Sequence, residues 1–489
     1  MDRAVLTFHT EDQSILQRLD LYQTTVRTVF YLSAMEYLEQ LRHAGLFDAR
    51  VPRYTSYPPV SALLPGEGAL NHRRWLNAVP NGSGVSVYLH IPYCERLCWF
   101  CACRTQAKGS DAVVATYLTR LMKEITLVRA ELPDQITLSR LYLGGGTPTV
   151  LDPAQIKVLL DSVYAAFPRS ADFECLVEID TTRIETAQID ILLATGMTRA
   201  VVGVQDFDPT VQTCIGKQQS FEQVSRAVRL LRQAGLQGLD IEMLYGLPSQ
   251  TTAAMADTTQ QVMALEPDRV SVSEYAHIPH VAKRQVMIDA NRLPASEDAF
   301  VMSEMARQLL LSDGYEAVGI DHFARPGDAL IRARARNLLR RDFQGYSDTA
   351  ATTLIGLGAS AISRFPAGFV QNASATSLYI NSISSGSLAG DRGYHLTQVD
   401  LVIGAMIEML MCRFEIDVTE ISRRFPGHEA LIRRATQNII AVFGAHVLSD
   451  PDRLRVRQAA RPMARLMAHV LDQLGRTHGL RPHPQSAKP

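Results

Sequence analysis

Cys94-Glu95-Arg96-Leu97-Cys98-Trp99-Phe100-Cys101 sets three thiols in a CxxxCxxC run. Three thiolates hold three irons of a [4Fe-4S] cube and leave the fourth iron open, which a cluster needs if it is to bind and cleave a cofactor as well as carry an electron. Cys103 extends the pattern to CxxxCxxCxC. With it comes a rival reading, a closed four-thiolate site that would be zinc or an electron-transfer cluster.

The chain has seven cysteines, and four fall between positions 94 and 103. An odd number gathered this way argues for metal ligation in a reducing compartment over a disulfide framework. Cys175, Cys214 and Cys412 lie in apolar or helical surroundings and read as small buried side chains.

Elements must carry that run, and 489 residues suffice for two or three domains with filled cores. With 49 basic against 50 acidic side chains, the net charge of -1 advertises no nucleic-acid field. The first residues lack the apolar core of a signal peptide, and Leu401 to Phe414 is too short for a bilayer span. The expected location is cytoplasmic.

Apolar runs of strand length occur at Val85 to Leu89, Ser139 to Leu143, Cys175 to Ile179, Arg199 to Val204, Leu239 to Leu244, Arg269 to Ser273 and Glu316 to Ile320. Helix-period stretches at Ala115 to Ala130, Ala154 to Ala166, Phe221 to Ala234 and Glu297 to Ser312 alternate with them. The rhythm predicts an α/β fold of parallel strands with helical crossovers, a partial TIM-like barrel whose polar strand ends gather at one mouth. A doubly wound open sheet is the alternative. Residues 1–80 read as an N-terminal arm, with a helix around Ser14 to Leu41 and then an extended stretch, Val51 to Pro59, lying over another surface. The barrel and substrate region occupies 81–383. Residues 384–489 form a small, mainly helical, winged-helix-like domain, with helices at Asp400 to Arg413, Thr436 to Phe443 and Met463 to Leu474, a strand at Leu454 to Val456 and a frayed tail from Arg481.

Several polar groups end the strands. Gly144-Gly145-Gly146-Thr147-Pro148-Thr149 lets an anionic ligand approach main-chain N–H groups beside a helix start, without the GK[ST] ending of a P-loop. Glu178 and Gln205 end successive strands and would hydrogen-bond a ligand in the mouth. Asp206 reads as a brace for the adjoining loop. Tyr88 and His90 share one side of the first strand, where they touch a cofactor or brace the cluster loop.

Together these segments resemble the oxygen-independent coproporphyrinogen III oxidase family of radical S-adenosylmethionine enzymes. The resemblance covers RYTSYP (Arg53 to Pro58), YLHIPYCERLCWFCAC (Tyr88 to Cys103), GGGTPT (Gly144 to Thr149), GVQDF (Gly203 to Phe207), YGLP (Tyr245 to Pro248), YAHIP (Tyr275 to Pro279), DHFARP (Asp321 to Pro326) and FQGY (Phe343 to Tyr346). It implies Cys94, Cys98 and Cys101 as the ligands of one [4Fe-4S] cluster, and Cys103 as an extra cysteine that is not a ligand. It also implies two S-adenosylmethionine molecules, contacted by Tyr88, Phe100, Cys103, Gly145, Gly146, Thr147, Glu178, Gln205, Lys217, Glu242, Ala276 and Ile362. Tyr88, Cys103 and Glu178 would stand nearest the chemistry. The chain departs from the family pattern with Lys217 where arginine is usual, Glu242 where aspartate is usual and Ala102 where glycine is usual. The first two replacements change a donor fork and a carboxylate reach.

The implied reaction is oxidative decarboxylation of coproporphyrinogen III to protoporphyrinogen IX, converting the ring A and B propionates to vinyl groups through a 5'-deoxyadenosyl radical. It requires an external one-electron donor such as flavodoxin or ferredoxin and an electron acceptor that the sequence does not identify. A monomer is expected, with Tyr54 and Tyr57 of the arm helping to enclose the mouth. The alternatives are a related radical reaction on another tetrapyrrole, such as methyl transfer, and non-enzymatic haem binding or delivery.

Overall fold

The computed structural model describes residues 36–478. Most of the expected Ser14 to Leu41 helix and the tail from Arg481 lie outside the described residues. The chain divides into two compact units, Met1–Val51 and Pro52–Pro489. The described part of the first unit holds a helix over residues 36–43.

In the second unit, helix α1 (Glu67–Asn77) precedes six strands: β1 (Ser83–Ile91), β2 (Ile136–Gly145), β3 (Arg169–Glu178), β4 (Arg199–Gln205), β5 (Gly238–Tyr245) and β6 (Arg269–Glu274). Their crossovers include α2 (Asp111–Ala130), α3 (Pro153–Ala166), α4 (Thr186–Ala194), α5 (Phe221–Gln233) and α6 (Thr252–Ala264). Helix starts are marked by side chains that satisfy otherwise orphaned N–H groups. Asp152 with Gln155 and Ser220 with Gln223 form capping boxes at α3 and α5.

Strands β1 to β6 lie side by side in chain order, all parallel. That order has no switch point, so the sheet winds in one direction as in a barrel, and the doubly wound alternative falls away. Val85, Val87, Leu89 and Ile91 of β1, each at most 1% exposed, join the apolar core with Leu121 and Ile125 of α2. Successive strand residues alternate faces, so Tyr88 and His90 face the concave interior. There Tyr88, Tyr142, Leu176 and Val201 form a separate cluster.

The expected strand at Glu316 to Ile320 needs correction. After α7 (Ser296–Ser312), β7 (Glu316–Val318) is short and turns back at Gly319 to pair antiparallel with β8 (His322–Ala324), which is itself antiparallel to β6. Gly319 has φ +58° and leaves no room for a Cβ beside the Tyr346 hydroxyl, so the chain reverses there. The seventh parallel strand is β9 (Thr353–Leu357), paired with the opposite edge of β1. The antiparallel strands β10 (Ile362–Phe365), β11 (Gly368–Asn372) and β12 (Gly390–His395) continue outward from it. Among the described residues the sheet does not close: its edges are the two-residue strand Leu64–Pro65 and β7. It is therefore a partial barrel.

Helices α8 (Gln398–Arg413), α9 (Glu429–Phe443) and α10 (Ala464–His478) surround a three-stranded antiparallel sheet ordered Glu415–Asp417, Arg453–Val456, Val447–Ser449. Among the described residues no helix is long and apolar enough to cross a membrane.

Candidate active site

The cysteine run leaves the C-terminal end of β1 in a loop pinned from several sides. Residues Tyr93 and Cys94 pair with Gln106 and Ala107, Trp99 N–H donates to the Ile215 carbonyl at 2.9 Å, and the Lys108 ammonium meets Glu95 at 3.1 Å. Gly216, at φ +67°, lets the Trp99 ring come so close that a Cβ would lie 2.7 Å from it. Cys94, Cys98 and Cys101 are half-buried, and the Thr147 hydroxyl reaches the Cys94 sulfur at 3.8 Å.

Burial pushes the Cys94 thiol up to about 11 and also raises Cys98, against the pull of the Lys217 ammonium. A hydrogen bond from Cys103 brings Cys101 down to about 6 and, reciprocally, raises Cys103. Cationic irons would therefore displace protons from at least two of these sulfurs. Among the described residues no three His, Cys, Asp or Glu side chains converge tightly enough for one metal ion. Three half-buried thiols on one loop, with the Cys103 thiol hydrogen-bonded to Cys101, suit three corners of a four-iron cube.

The glycine run does something other than expected. Gly145 N–H donates to Glu178 Oε2 at 3.2 Å, Gly146 N–H to the Ile91 carbonyl at 2.7 Å, and Thr147 N–H to the Tyr93 carbonyl at 2.8 Å. A three-residue turn, Pro148–Val150, comes next, and α3 starts only at Pro153. The loop is thus no anion cradle of free N–H groups. Its glycines admit neighbouring side chains: a Cβ on Gly144 would lie 2.4 Å from Glu178 Oε1, and one on Gly145 2.3 Å from His90 Nδ1. His90 is a brace, with Nδ1 3.0 Å from the Tyr88 hydroxyl and Nε2 3.1 Å from the Arg104 carbonyl. Donation from Nε2 to that carbonyl leaves Nδ1 to accept from Tyr88.

Glu178 accepts from the Tyr142 hydroxyl at 3.1 Å, and burial followed by the like charge of Glu242 raises it to about 8. Glu242 is raised by burial against His322 and Lys217. The Lys217 ammonium donates to the Gly203 carbonyl. At a register irregularity between Gly203 and Gln205 the Gln205 backbone takes φ +68°, and its buried Oε1 lacks a hydrogen-bond donor. A buried acceptor without a donor at a strand end has capacity left for a ligand. Asp206, fully buried, takes Gln250, Thr258 and the Asp208 N–H, as a loop brace should.

Phe100 packs beside Val211, Leu247 and Tyr275. Gln285, unforeseen in the sequence, donates to the Phe100 carbonyl at 2.8 Å and the Ala276 carbonyl at 3.1 Å, tying two expected contacts together. Its neighbour Arg284 holds the Cys103 carbonyl at 2.9 Å. The only available signal was a polar pair inside a proline-bounded loop. Ile362, on β10, lies against Phe343 and Phe369 on the far side of β1.

DHFARP and FQGY meet in space. Arg341 grips Asp321 with two bonds of 3.0 Å, His322 stacks edge-on to Tyr346, and the Tyr346 hydroxyl donates to the Met411 carbonyl at 2.7 Å. Tyr54 and Tyr57 pack on the C-terminal helices. The Tyr54 hydroxyl donates to Asp472 at 3.1 Å, and the Tyr57 ring fills the space over Gly404 of α8 and Gly475 of α10.

The Radical SAM superfamily model matches residues 88–262. The oxygen-independent coproporphyrinogen III oxidase of Paracoccus denitrificans is 45% identical over 90% of this chain and 97% of its own length. The protein of the same name from Cereibacter sphaeroides is 46% identical over 90% and 98%. The solved coproporphyrinogen III oxidase of Escherichia coli, a radical SAM enzyme, superimposes with a TM-score of 0.82 at 32% identity, over 86% of this chain and 97% of that one. A resemblance carried by motifs and geometry thus extends across nearly the whole length of these relatives, and the chain belongs to the oxygen-independent coproporphyrinogen III oxidase family of radical S-adenosylmethionine enzymes.

Proposed function

We propose that this chain decarboxylates coproporphyrinogen III to protoporphyrinogen IX without oxygen, at the rim where β1 to β6 end. The observation that carries the proposal is the placement of three half-buried thiols beside Thr147 and within the electrostatic reach of Lys217. Cys94, Cys98 and Cys101 would hold one [4Fe-4S] cluster. Tyr88, Gly145, Gly146, Thr147, Glu178, Gln205, Lys217, Glu242, Ala276 and Ile362 would border S-adenosylmethionine, with Phe100 and Cys103 near a second molecule. When bound, cluster and cofactor would supply the hydrogen-atom abstraction that lets a propionate lose CO2 and one electron to become a vinyl group.

The chain's own contribution is binding and exclusion. Glu178 is held by Tyr142 and Gly145, and its raised proton affinity lets it donate as well as accept at neutral pH. Gln205 offers its orphaned oxygen to a ligand N–H or O–H. Lys217 brings positive charge near Cys98 and Glu242, in place of a guanidinium fork.

The division into 1–80, 81–383 and 384–489 is proposed as a division of labour: arm, chemistry, and a support that holds the arm through Asp472. The electron donor would be flavodoxin or ferredoxin, the acceptor is a separate molecule, and the chain would act as a monomer. All seven cysteines are free, which supports a reducing, cytoplasmic setting.

The deciding experiment combines anaerobically reconstituted protein, coproporphyrinogen III, S-adenosylmethionine and a reductant, and measures protoporphyrinogen IX and 5'-deoxyadenosine together. Both are expected. Deoxyadenosine without the decarboxylated product would overturn the substrate assignment.

A further inference from the structure

On the β5 and β6 side of the rim lies a cavity of about 70 Å3 that the cofactor assignments leave unused. Four guanidiniums face it, from the arm (Arg53), α7 (Arg307), the short strand Arg340–Asp342 before FQGY (Arg341) and α10 (Arg465). Three are matched by carboxylates. Arg341 takes Asp321 in a two-bond grip, Arg307 takes Glu304 at 2.9 to 3.0 Å, and Arg465 meets Glu274 Oε2 at 3.1 Å. Arg53 hydrogen-bonds the main-chain carbonyl of the same Glu274 and, among the described residues, forms no ion pair. Arg53 and Arg465 therefore converge on one residue, and the basin holds one unmatched positive charge.

Arg53 is not there by accident of a loose loop. Its neighbour Tyr54 is clipped to Asp472 and His469 of α10, at 3.1 and 3.0 Å, and Tyr57 is wedged between α8 and α10. The arm is fastened by its tyrosines and presents its arginine to the cavity, with the side chain open to solvent.

Resting on the function proposed above, we propose that Arg53 and Arg465 dock a propionate carboxylate of the tetrapyrrole, one of those that survive the reaction. Guanidinium forks match planar carboxylates in shape and charge. At about 70 Å3 the cavity has room for the carboxylate end of a side chain. A carboxylate gripped by guanidiniums is stabilised in its ionised ground state, which opposes its loss as CO2, so the dock is an anchor and not the reacting end. It also lies four to five strand steps along the sheet from the cysteine loop after β1.

The test uses full-length, anaerobically reconstituted protein with Arg53→Gln, Arg53→Lys, Arg465→Gln and Glu274→Gln. Readouts are KM and kcat for coproporphyrinogen III, fluorescence binding of coproporphyrin III and of its tetramethyl ester, iron content, and the spectral change on adding S-adenosylmethionine. Arg53→Gln should raise KM and the tetra-acid Kd about tenfold or more, with ester binding, iron content and cofactor response unchanged. Arg53→Lys should recover only part of that loss, because it lacks the fork. Glu274→Gln frees Arg465 and should tighten tetra-acid binding, an outcome that mere packing does not predict. Unchanged KM and Kd in both glutamine variants of the arginines would overturn the dock, as would an equal loss for the ester. If the wild type binds the tetra-acid in an Arg53-dependent way yet makes no protoporphyrinogen, the dock stands and the reaction assignment fails.

Discussion

Glu174 and Glu178 lie four residues apart on the same face of β3, and the fold drives them in opposite directions. Burial pushes Glu174 up, but Arg140, Arg269 and Arg199 overcome it and hold the carboxyl below its ordinary value. Glu178 meets burial and then Glu242, with no arginine to answer, and rises to about 8. The lower layer of the barrel interior pairs opposite charges: Arg199 reaches Glu174 at 3.2 Å and Asp240 at 2.7 Å, and Arg269 reaches Asp328 at 3.0 Å. The rim above it leaves like charges facing each other and Gln205 with an orphaned oxygen. One strand thus carries a carboxylate held down by arginines and another raised by burial and a like charge, and partners, more than residue type, separate the two.

The sharpest break between the layers is predicted at the rim. Cys98→Ser should abolish assembly of the four-iron cluster, read as loss of about four irons and four sulfides per chain, while the chain keeps its fold by circular dichroism. A normal cluster in this variant would remove Cys98 from the ligand set. In the lower layer, Arg199→Met takes from Asp240 its nearest cation and leaves Glu174 with Arg140 and Arg269, and should cost about 3 kcal/mol of stability in denaturant unfolding, with little change in iron content. A loss of well under 1 kcal/mol would mean that these ion pairs are not holding the barrel.

Smaller effects should appear in the pH dependence of the thermal midpoint. The folded value of Glu178 lies above the ordinary carboxyl value near 4.5, so its contribution to stability is complete below about 4.5 and is lost as pH rises through about 8. Glu178→Gln should flatten that fall. Glu174 has the opposite sign: its contribution is present above its ordinary value and is lost as pH drops through the lowered folded one. Glu174→Gln should flatten the acid limb only. The same limb changing in both variants would contradict the contrast.

The parallel strands β1 to β6 were legible in the sequence because each is a short apolar run bounded by turn signals, and the cysteine run was legible because ligand spacing is local. Strand β9 was not, since Thr353 to Leu357 comes after an alanine- and threonine-rich stretch and is recruited by the free edge of β1, a partner more than 250 residues away. The glycine loop misled for a different reason: its N–H groups look available until Glu178 and the Ile91 and Tyr93 carbonyls arrive from other segments. The arm tyrosines were legible as packing residues but not their target, because Asp472, Gly404 and Gly475 are brought to them by the C-terminal helices.

The central claim is that the rim holds a cluster with one iron open to a cofactor, and Mössbauer spectroscopy of anaerobically reconstituted wild-type and Cys103→Ser protein, with and without S-adenosylmethionine, addresses it most directly. The account predicts a four-iron cluster in both proteins, with one iron whose signal shifts when the cofactor is added. Four thiolate-bound irons indifferent to the cofactor in the wild type, with the fourth ligand lost in Cys103→Ser, would contradict it.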